Sequence, residues 1–332
     1  MFDLDDCRTN AGGTRRAPDV TESEGALLAR AMTYKFAVLR AEVGGAKGCV
    51  RAGPEEHDEV MRRYCDEIRP LVESARFLTG PDMGTSESDF AALRPPGMRD
   101  AVVTATVGGV PFEDLLTGYG VAVAAEATVG SLDGRTVALE GFGKVGGGVA
   151  REVVRRGGRV VAVSTVDGCV ADPAGLDVEL LWGMRAEHGD GFVGRLGRDV
   201  APPERLFDVE ADVLVPGARP GVIDLARAES LSVRAVVPAA NVPYAAGAPE
   251  VLQARGIRAQ ADFVANAGAV IGYRSSVGST PTQVLADVER RVVALVDEAF
   301  IDPRGPFAGA CAAAGRFFAT WRDDPIPPPP LA

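Results

Sequence analysis

The sequence predicts an α/β protein of two domains, and three observations predict it: chain length, one strand–turn–helix–strand unit near the middle, and several short bare apolar runs after that unit. The chain has 332 residues, and domains hold roughly 150 residues each, which favours two cores over one. The segment RTVALEGFGKVGGGVAREVVRRGGRVVAVS spans residues 135–164. It has a β-rich run (Thr136 to Leu139), a glycine turn, a stretch with Val145, Val149, Val153 and Val154 at helical spacing, and a second apolar run (Val160 to Val163). Further apolar runs at Val213 to Val215, Ala235 to Val237 and Phe263 to Val264 suit strands of a parallel sheet covered on both faces.

From the start of the chain, Thr21 and Glu24 in TESEGALL read as a capping box, so a helix is expected over 22–39. Leu28, Met32, Lys35 and Leu39 share one face of it, which puts Lys35 on the buried stripe. A glycine turn separates it from a second helix at 55–72, whose apolar face is Val60, Met61, Tyr64, Ile68 and Leu71. RPPGMRDAVVTATVGGVP, residues 94–111, reads as a loop-rich junction. Near the C-terminus Val284, Val288, Val292 and Val296 are four apart, the mark of an amphipathic helix. PIPPPPLA can neither form helix nor pair in a sheet and reads as a solvated tail. The expected division is 1–115, 116–298, and a C-terminal helix with its proline-rich tail, 299–332, packing back on the first part.

Composition excludes several classes of function. A formal net charge of -11 with no basic run leaves no cationic footprint for nucleic acid. The five cysteines are odd in number and widely spaced, with no C-x-x-C pair and no Cys/His cluster, so reduced intracellular thiols and no metal are expected. No apolar stretch reaches the roughly 18 residues of a membrane span, and the opening residues lack a signal peptide's pattern, which points to a cytoplasmic protein without membrane contact. His57 and His188 are the only histidines and both read as solvated surface residues, so proton chemistry falls on lysine and carboxylate.

Gly141, Gly143 and Gly146 follow a strand and open a helix, the context in which G-x-G-x-x-G binds a dinucleotide. The tight turn and the close approach of pyrophosphate exclude side chains, and the helix N-terminus offers N–H donors and a positive dipole. Lys144 and Val145 belong to the same loop. The second domain is therefore expected to be a doubly wound Rossmann dinucleotide-binding domain, and the first an α/β substrate domain. Where an acid would bind the adenosine ribose, the second strand ends in Ser164 and Thr165, and Asp167 is the nearest carboxylate. No arginine adjoins the turn in sequence to attract a 2′-phosphate, so NAD and NADP both stay open.

Lys35 and Lys47 lie twelve residues apart, and Asp82 sits in LTGPDMGTSESDF. Each taken singly reads as a surface ion or a turn residue, yet three separate segments all place an ionisable group beside glycines. Burial and a second ammonium nearby both disfavour a charged lysine, one route to a lysine base.

In order along the chain stand GGTR (12–15), MTYK with Lys35, GGAKG with Lys47, TGPDMGT with Asp82, LTGYGV with Thr117, GFGKVG, AANVP with Asn241 and ADFVANAGAV with Asn266. Together these motifs resemble the glutamate/leucine/phenylalanine/valine dehydrogenase family. The resemblance implies reversible oxidative deamination of an L-amino acid with NAD or NADP, hydride leaving Cα for the nicotinamide. It implies that Lys35 holds the substrate α-carboxylate, Lys47 is the general base that activates water, and Asp82 shuttles a proton at the substrate nitrogen. Thr117 and Asn241 would contact the nicotinamide half, and Asn266 would bridge substrate and cofactor. A homo-oligomer is implied as well.

Three positions depart from that family. Ala11 stands where glutamate-specific members carry lysine, which points to an apolar, aromatic or unusual side chain rather than glutamate. Tyr273 takes the place of a small residue beside the substrate side chain, and Ala269 replaces the second glycine of the usual NAGG. Two other readings stay open: an imine reductase or dehydrogenase acting on a specialised substrate, and a non-catalytic relative that only binds the dinucleotide.

Overall fold

The structure, a computed structural model, describes residues 1–93, 105–107, 110–275 and 278–332. Most of the expected junction at 94–111 lies outside the described residues. The chain divides into two compact units, Met1–Met98 with Ala313–Pro330, and Arg99–Ala312 with Leu331–Ala332.

The first unit is built on very short strands: β1 (Asn10–Ala11), β2 (Thr14–Arg16), β3 (Gly44–Gly45), β4 (Gly48–Val50) and β5 (Phe77–Leu78). β1 is the centre of a three-stranded parallel sheet between β3 and β5, and β2 pairs with β4 in parallel. Helix α1 (Glu22–Val38) lies directly on β3. A Cβ on Gly45 would fall 1.9 Å from the Ala29 carbonyl oxygen, so only glycine lets helix and strand meet there. The Gly45 N–H donates to Thr33 Oγ1 at 2.9 Å, sealing that contact. Helix α2 (His57–Glu73) sends Met61, Cys65 and Ile68 into a cluster with Val50, Phe77 and Phe90.

Two expectations for this unit need correction. His57 is half-buried rather than solvated, its Nε2 2.7 Å from Asp89 Oδ1 at the foot of α2. The proline tail is held, not free: proline lacks an N–H but keeps its carbonyl, so Tyr34 Oη donates to Pro327 O at 2.7 Å and Arg30 to Pro328 O at 3.1 Å. Ile326 and Trp321 pack beside Leu4, Cys7 and Phe318.

The second unit opens with a small hairpin, β6 (Thr106–Val107) and β7 (Val110–Pro111), and helix α3 (Phe112–Val129). Then come β8 (Thr136–Glu140), α4 (Lys144–Arg155), β9 (Arg159–Thr165), β10 (Gly168–Ala171) and α5 (Val178–His188). Next are β11 (Val213–Pro216), α6 (Leu225–Ser230), β12 (Ala235–Val236), α7 (Ala248–Ala254) and β13 (Arg258–Ala259). The sheet order is β10-β9-β8-β11-β12-β13, parallel throughout except for β10. The order reverses between β8 and β11, and such a switch point opens a crevice at the carboxyl ends of its two strands.

Phe263 and Val264, expected in a strand, belong instead to a short helix α8 (Asp262–Ala265). The sheet's edge strand is β13, just before it. A buried run of four residues has no period long enough to separate strand from helix, and here the Asp262 carboxylate accepts the Val242 N–H at 2.9 Å and anchors the turn. Helices α9 (Gly268–Tyr273), α10 (Pro281–Ala299) and α11 (Pro306–Phe318) follow. The four valines of α10 are fully buried, and Thr280 with Gln283 forms a complete capping box at its start. Among the described residues no helix is long and apolar enough to cross a membrane.

Candidate active site

Lys47 stands in the turn between β3 and β4, 3% exposed, with its Nζ 2.6 Å from Asp82 Oδ2. Asp82 lies in the loop after β5. Its N–H donates to Thr85 Oγ1 at 2.9 Å, and that hydroxyl lies 2.8 Å from the Thr14 carbonyl, so the loop is tied to β2. Arg15 Nε donates to the same Oδ2 at 3.0 Å, and its Nη1 donates to Glu24. Among the described residues, no hydrogen-bond partner meets Asp82 Oδ1. Burial pushes the Asp82 carboxyl up, but the Lys47 ammonium and then the Arg15 guanidinium outweigh it and hold the group down at about 2.

Lys35 is 5% exposed on the buried stripe of α1, the helix that rests on β3 through Gly45. Ala11 ends β1, half-buried, in register with Gly45, and its carbonyl accepts the Ala46 N–H at 2.9 Å. The strands therefore bring Ala11 and Lys47 to adjoining positions. Arg15 and Glu24 had no functional reading in the sequence. Glu24 was expected to close the capping box with Thr21, whose Oγ1 does accept the Glu24 N–H at 3.2 Å, but its carboxylate binds Arg15. The available signal was strand alternation, which turns Arg15 to the face opposite Thr14 and Arg16.

In the second unit the glycine turn forms as its spacing requires. Gly141 has φ 85°, in the left-handed region, and its N–H donates to Ser164 O at 3.0 Å. A Cβ on Gly146 would lie 2.2 Å from the Gly141 carbonyl oxygen. At Gly143 the nearest atom to a Cβ would be Arg185 Nη2 at 3.9 Å, so that face of the turn is open. Among the described residues no side chain caps the N-terminus of α4, which leaves its first N–H groups for an anion. Lys144 is exposed and 3.6 Å from Asp114, and Val145 is half-buried behind it. Ser164 and Thr165 are buried at the tip of β9, Thr165 Oγ1 donating to Asp190 O at 3.0 Å. Glu140, at the tip of β8, accepts N–H groups of Gly217 and Ala218 at 3.2 Å each and so ties the two switch-point strands together. Burial raises its carboxyl above the ordinary value.

Arg185 is the arginine that the sequence did not place at the turn. It comes from the last turn of α5 with its Nε buried and without a partner among the described residues, and its Nη2 lies 4.0 Å from Asp190. Asn266 Nδ2 donates to Asn241 Oδ1 at 2.9 Å and to Ala239 O at 3.2 Å, while its buried Oδ1 has no partner among the described residues. A Cβ on Gly268 would come within 3.4 Å of Thr117 Cα, so the Asn266 segment sits against α3 at Thr117. Thr117 Oγ1 donates to Glu113 O at 3.2 Å. Tyr273 is 38% exposed and donates to Glu113 Oε2, and Ala269 is half-buried. The left-handed turn, the open face of Gly143, the uncapped helix and the orphan Asn266 Oδ1 fit a bound dinucleotide. No group of three metal-ligating side chains occurs among the described residues.

Residues 108–280 match the family model for glutamate/leucine/phenylalanine/valine dehydrogenase, and residues 6–95 match that of the Glu/Leu/Phe/Val dehydrogenase dimerisation domain. A glutamate dehydrogenase of Thermotoga maritima is 35% identical over 278 residues, covering 78% of this chain and 67% of that one. Glutamate dehydrogenase A2 of Halobacterium salinarum is 33% identical over 318 residues, 87% of this chain and 76% of its own length. Among solved structures, the hetero-hexameric glutamate dehydrogenase of Thermus thermophilus in its leucine-bound form superposes with a TM-score of 0.79 at 29% identity, covering 94% of this chain and 81% of that one. On both family models and on relatives along most of its length, this chain belongs to the glutamate/leucine/phenylalanine/valine dehydrogenase family, oxidoreductases that act on amino acids with a nicotinamide cofactor.

Proposed function

We propose that this protein catalyses the reversible oxidative deamination of an L-amino acid with an apolar or aromatic side chain, with NADP preferred over NAD. The observation that carries the reading is the contact of buried Lys47 with half-buried Asp82 at 2.6 Å, a lysine and a carboxylate close enough to pass a proton between them. The nicotinamide, when bound, accepts hydride from the substrate Cα. Lys35 holds the α-carboxylate and so fixes Cα. Asp82 takes a proton from the substrate amino group, and Lys47, once its own proton has left it, draws a proton from the water that attacks the imino carbon. Asn241, Asn266 and Thr117 would orient the nicotinamide half. The protein acts as a homo-oligomer, a reading supported by the dimerisation-domain match over residues 6–95.

The substrate preference rests on charge. Ala11 brings no cation, and Arg15 and Lys47 are both engaged by Asp82. A side-chain carboxylate entering beside Ala11 would be desolvated without a partner from these residues, which is costly. The names of the relatives make glutamate the rival substrate. The cofactor preference rests on Ser164 and Thr165, which place no carboxylate at the tip of β9, and on Arg185 beside the open face of Gly143.

The test is an absorbance assay of reduced nicotinamide at alkaline pH. It offers each common L-amino acid, glutamate included, with NAD or NADP to wild type, Lys47→Ala and Arg185→Ala. Turnover on an apolar or aromatic amino acid that is abolished in Lys47→Ala, with the NADP preference lost in Arg185→Ala, is the expected result. Turnover confined to glutamate would overturn the substrate assignment, and an unchanged cofactor ratio in Arg185→Ala would overturn the cofactor assignment.

A further inference from the structure

We propose that Arg15 is a positioning residue of the deamination site, gripping one oxygen of the Asp82 carboxylate so that the other is presented to the substrate amino group, and that Glu24 holds Arg15 in turn. The inference rests on the roles proposed above for Asp82 and Lys47.

A carboxylate held by a single cation swivels about its last torsion, because that well is broad. Asp82 has two, and both close on Oδ2: Lys47 Nζ at 2.6 Å and Arg15 Nε at 3.0 Å. They arrive from different elements, the turn before β4 and the strand β2. Together they define the plane of the carboxylate and leave Oδ1 on a side chain that is 21% exposed. A planar guanidinium suits this role, since its donors keep a fixed angle to one another. Arg15 uses Nε for Asp82 and Nη1 for Glu24, so it is held at both ends. Glu24 is at the start of α1, where Thr21 fixes its backbone and its carboxylate has left the capping box for Arg15.

The charges alternate: Glu24, Arg15, Asp82, Lys47. Around them, Cys49 of β4 is kept neutral by burial, which pushes its thiol up, and the amino terminus donates to the Lys47 carbonyl oxygen at 2.9 Å. Neither supplies a second hold on Asp82.

Arg15→Gln, Arg15→Lys, Glu24→Gln and Asp82→Asn test the proposal on the amino acid that the panel identifies. In Arg15→Gln, kcat is expected to fall about 10- to 100-fold with KM little changed, as for a misplaced reacting group. The Asp82 carboxyl is expected to titrate higher, because a cation that favours its ionised form has gone. Arg15→Lys should restore that midpoint, which needs only charge, but not the whole of kcat, which needs the fork. Glu24→Gln should lower kcat less, and adding it to Arg15→Gln should cost little more. A carbon-13 titration of the Asp82 carboxyl reads the same loss of the Arg15 cation without turnover, and its midpoint should rise in Arg15→Gln. If Arg15→Gln does not fold, Arg15→Lys decides: a reduced kcat at an unmoved Asp82 carboxyl midpoint supports the proposal, and wild-type kcat overturns it. Asp82→Asn inactive with Arg15→Gln wild-type in rate and midpoint would overturn the role of Arg15 alone. A fully active Asp82→Asn would instead overturn the underlying reading.

Discussion

Two carboxylates in this protein, Asp82 half-buried and Glu140 buried, respond in opposite ways because their neighbours differ. Asp82 meets two cations and stays ionised down to about 2. Its contribution to stability is therefore present above the ordinary carboxylate range and is lost as pH falls through about 2. Glu140 meets two peptide N–H groups, with the Arg219 and Arg227 guanidinium groups acting only from a distance, so burial dominates and its pKa rises above the ordinary 4.5. The sign is then reversed: the folded state binds the proton more tightly, and stability falls as pH rises from about 4.5 through the raised value. Glu140→Gln is accordingly expected to raise the thermal midpoint at pH 7 to 8 and to have no stabilising effect at pH 4, measured by circular dichroism melts. Equal gains at both values would show that the carboxyl is not strained in its charged form.

At the scale of elements, the glycines decide where chemistry sits. Helix α1 can lie on β3 only because Gly45 has no side chain, and that contact is what brings the helix bearing Lys35 against the turn bearing Lys47. Gly45→Ala puts a methyl group 1.9 Å from the Ala29 carbonyl oxygen and must lift the helix. The expected cost is about 1–3 kcal/mol in urea unfolding, with a larger proportional loss of turnover than of cofactor binding, since the glycine turn of the second unit is untouched. These features were legible beforehand because glycine spacing is local: the β8–turn–α4–β9 unit and the α1–turn–α2 order lie where the pattern put them. The Phe263–Val264 helix was not legible, being a buried run too short to show a period. Nor were Arg185 and the partners of Arg15. Arg15 and Asp82 are 67 residues apart in the chain, and no local pattern signals a contact made by folding.

For the whole molecule, the residues proposed for acid–base work lie in the first unit and the glycine turn lies in the second. The second unit depends on a charged node away from the glycine turn. Arg156, which ends α4, is buried among Glu126 of α3, Glu152 of its own helix at 2.7 Å and Glu289 of α10 at 3.1 Å, and lies over the Tyr119 ring. Tyr119 Oη also donates to Glu289 at 2.5 Å, so three helices are joined at one guanidinium. Arg156→Ala leaves three carboxylates facing one another and is expected to destabilise by about 3 kcal/mol, seen in chemical unfolding as a lower midpoint. Arg156→Lys should recover only part of this, since a point charge cannot bridge all three. Loss of less than about 1 kcal/mol would mean that the node behaves as a surface pair.

The Glu24–Arg15–Asp82–Lys47 chain has a consequence for heredity. Its members alternate in sign and sum to zero, so the set tolerates burial while any single replacement strands a neighbour. Natural variants should therefore lose or exchange Glu24 and Arg15 together, and a lineage that changes one without the other should carry a compensating change beside Asp82.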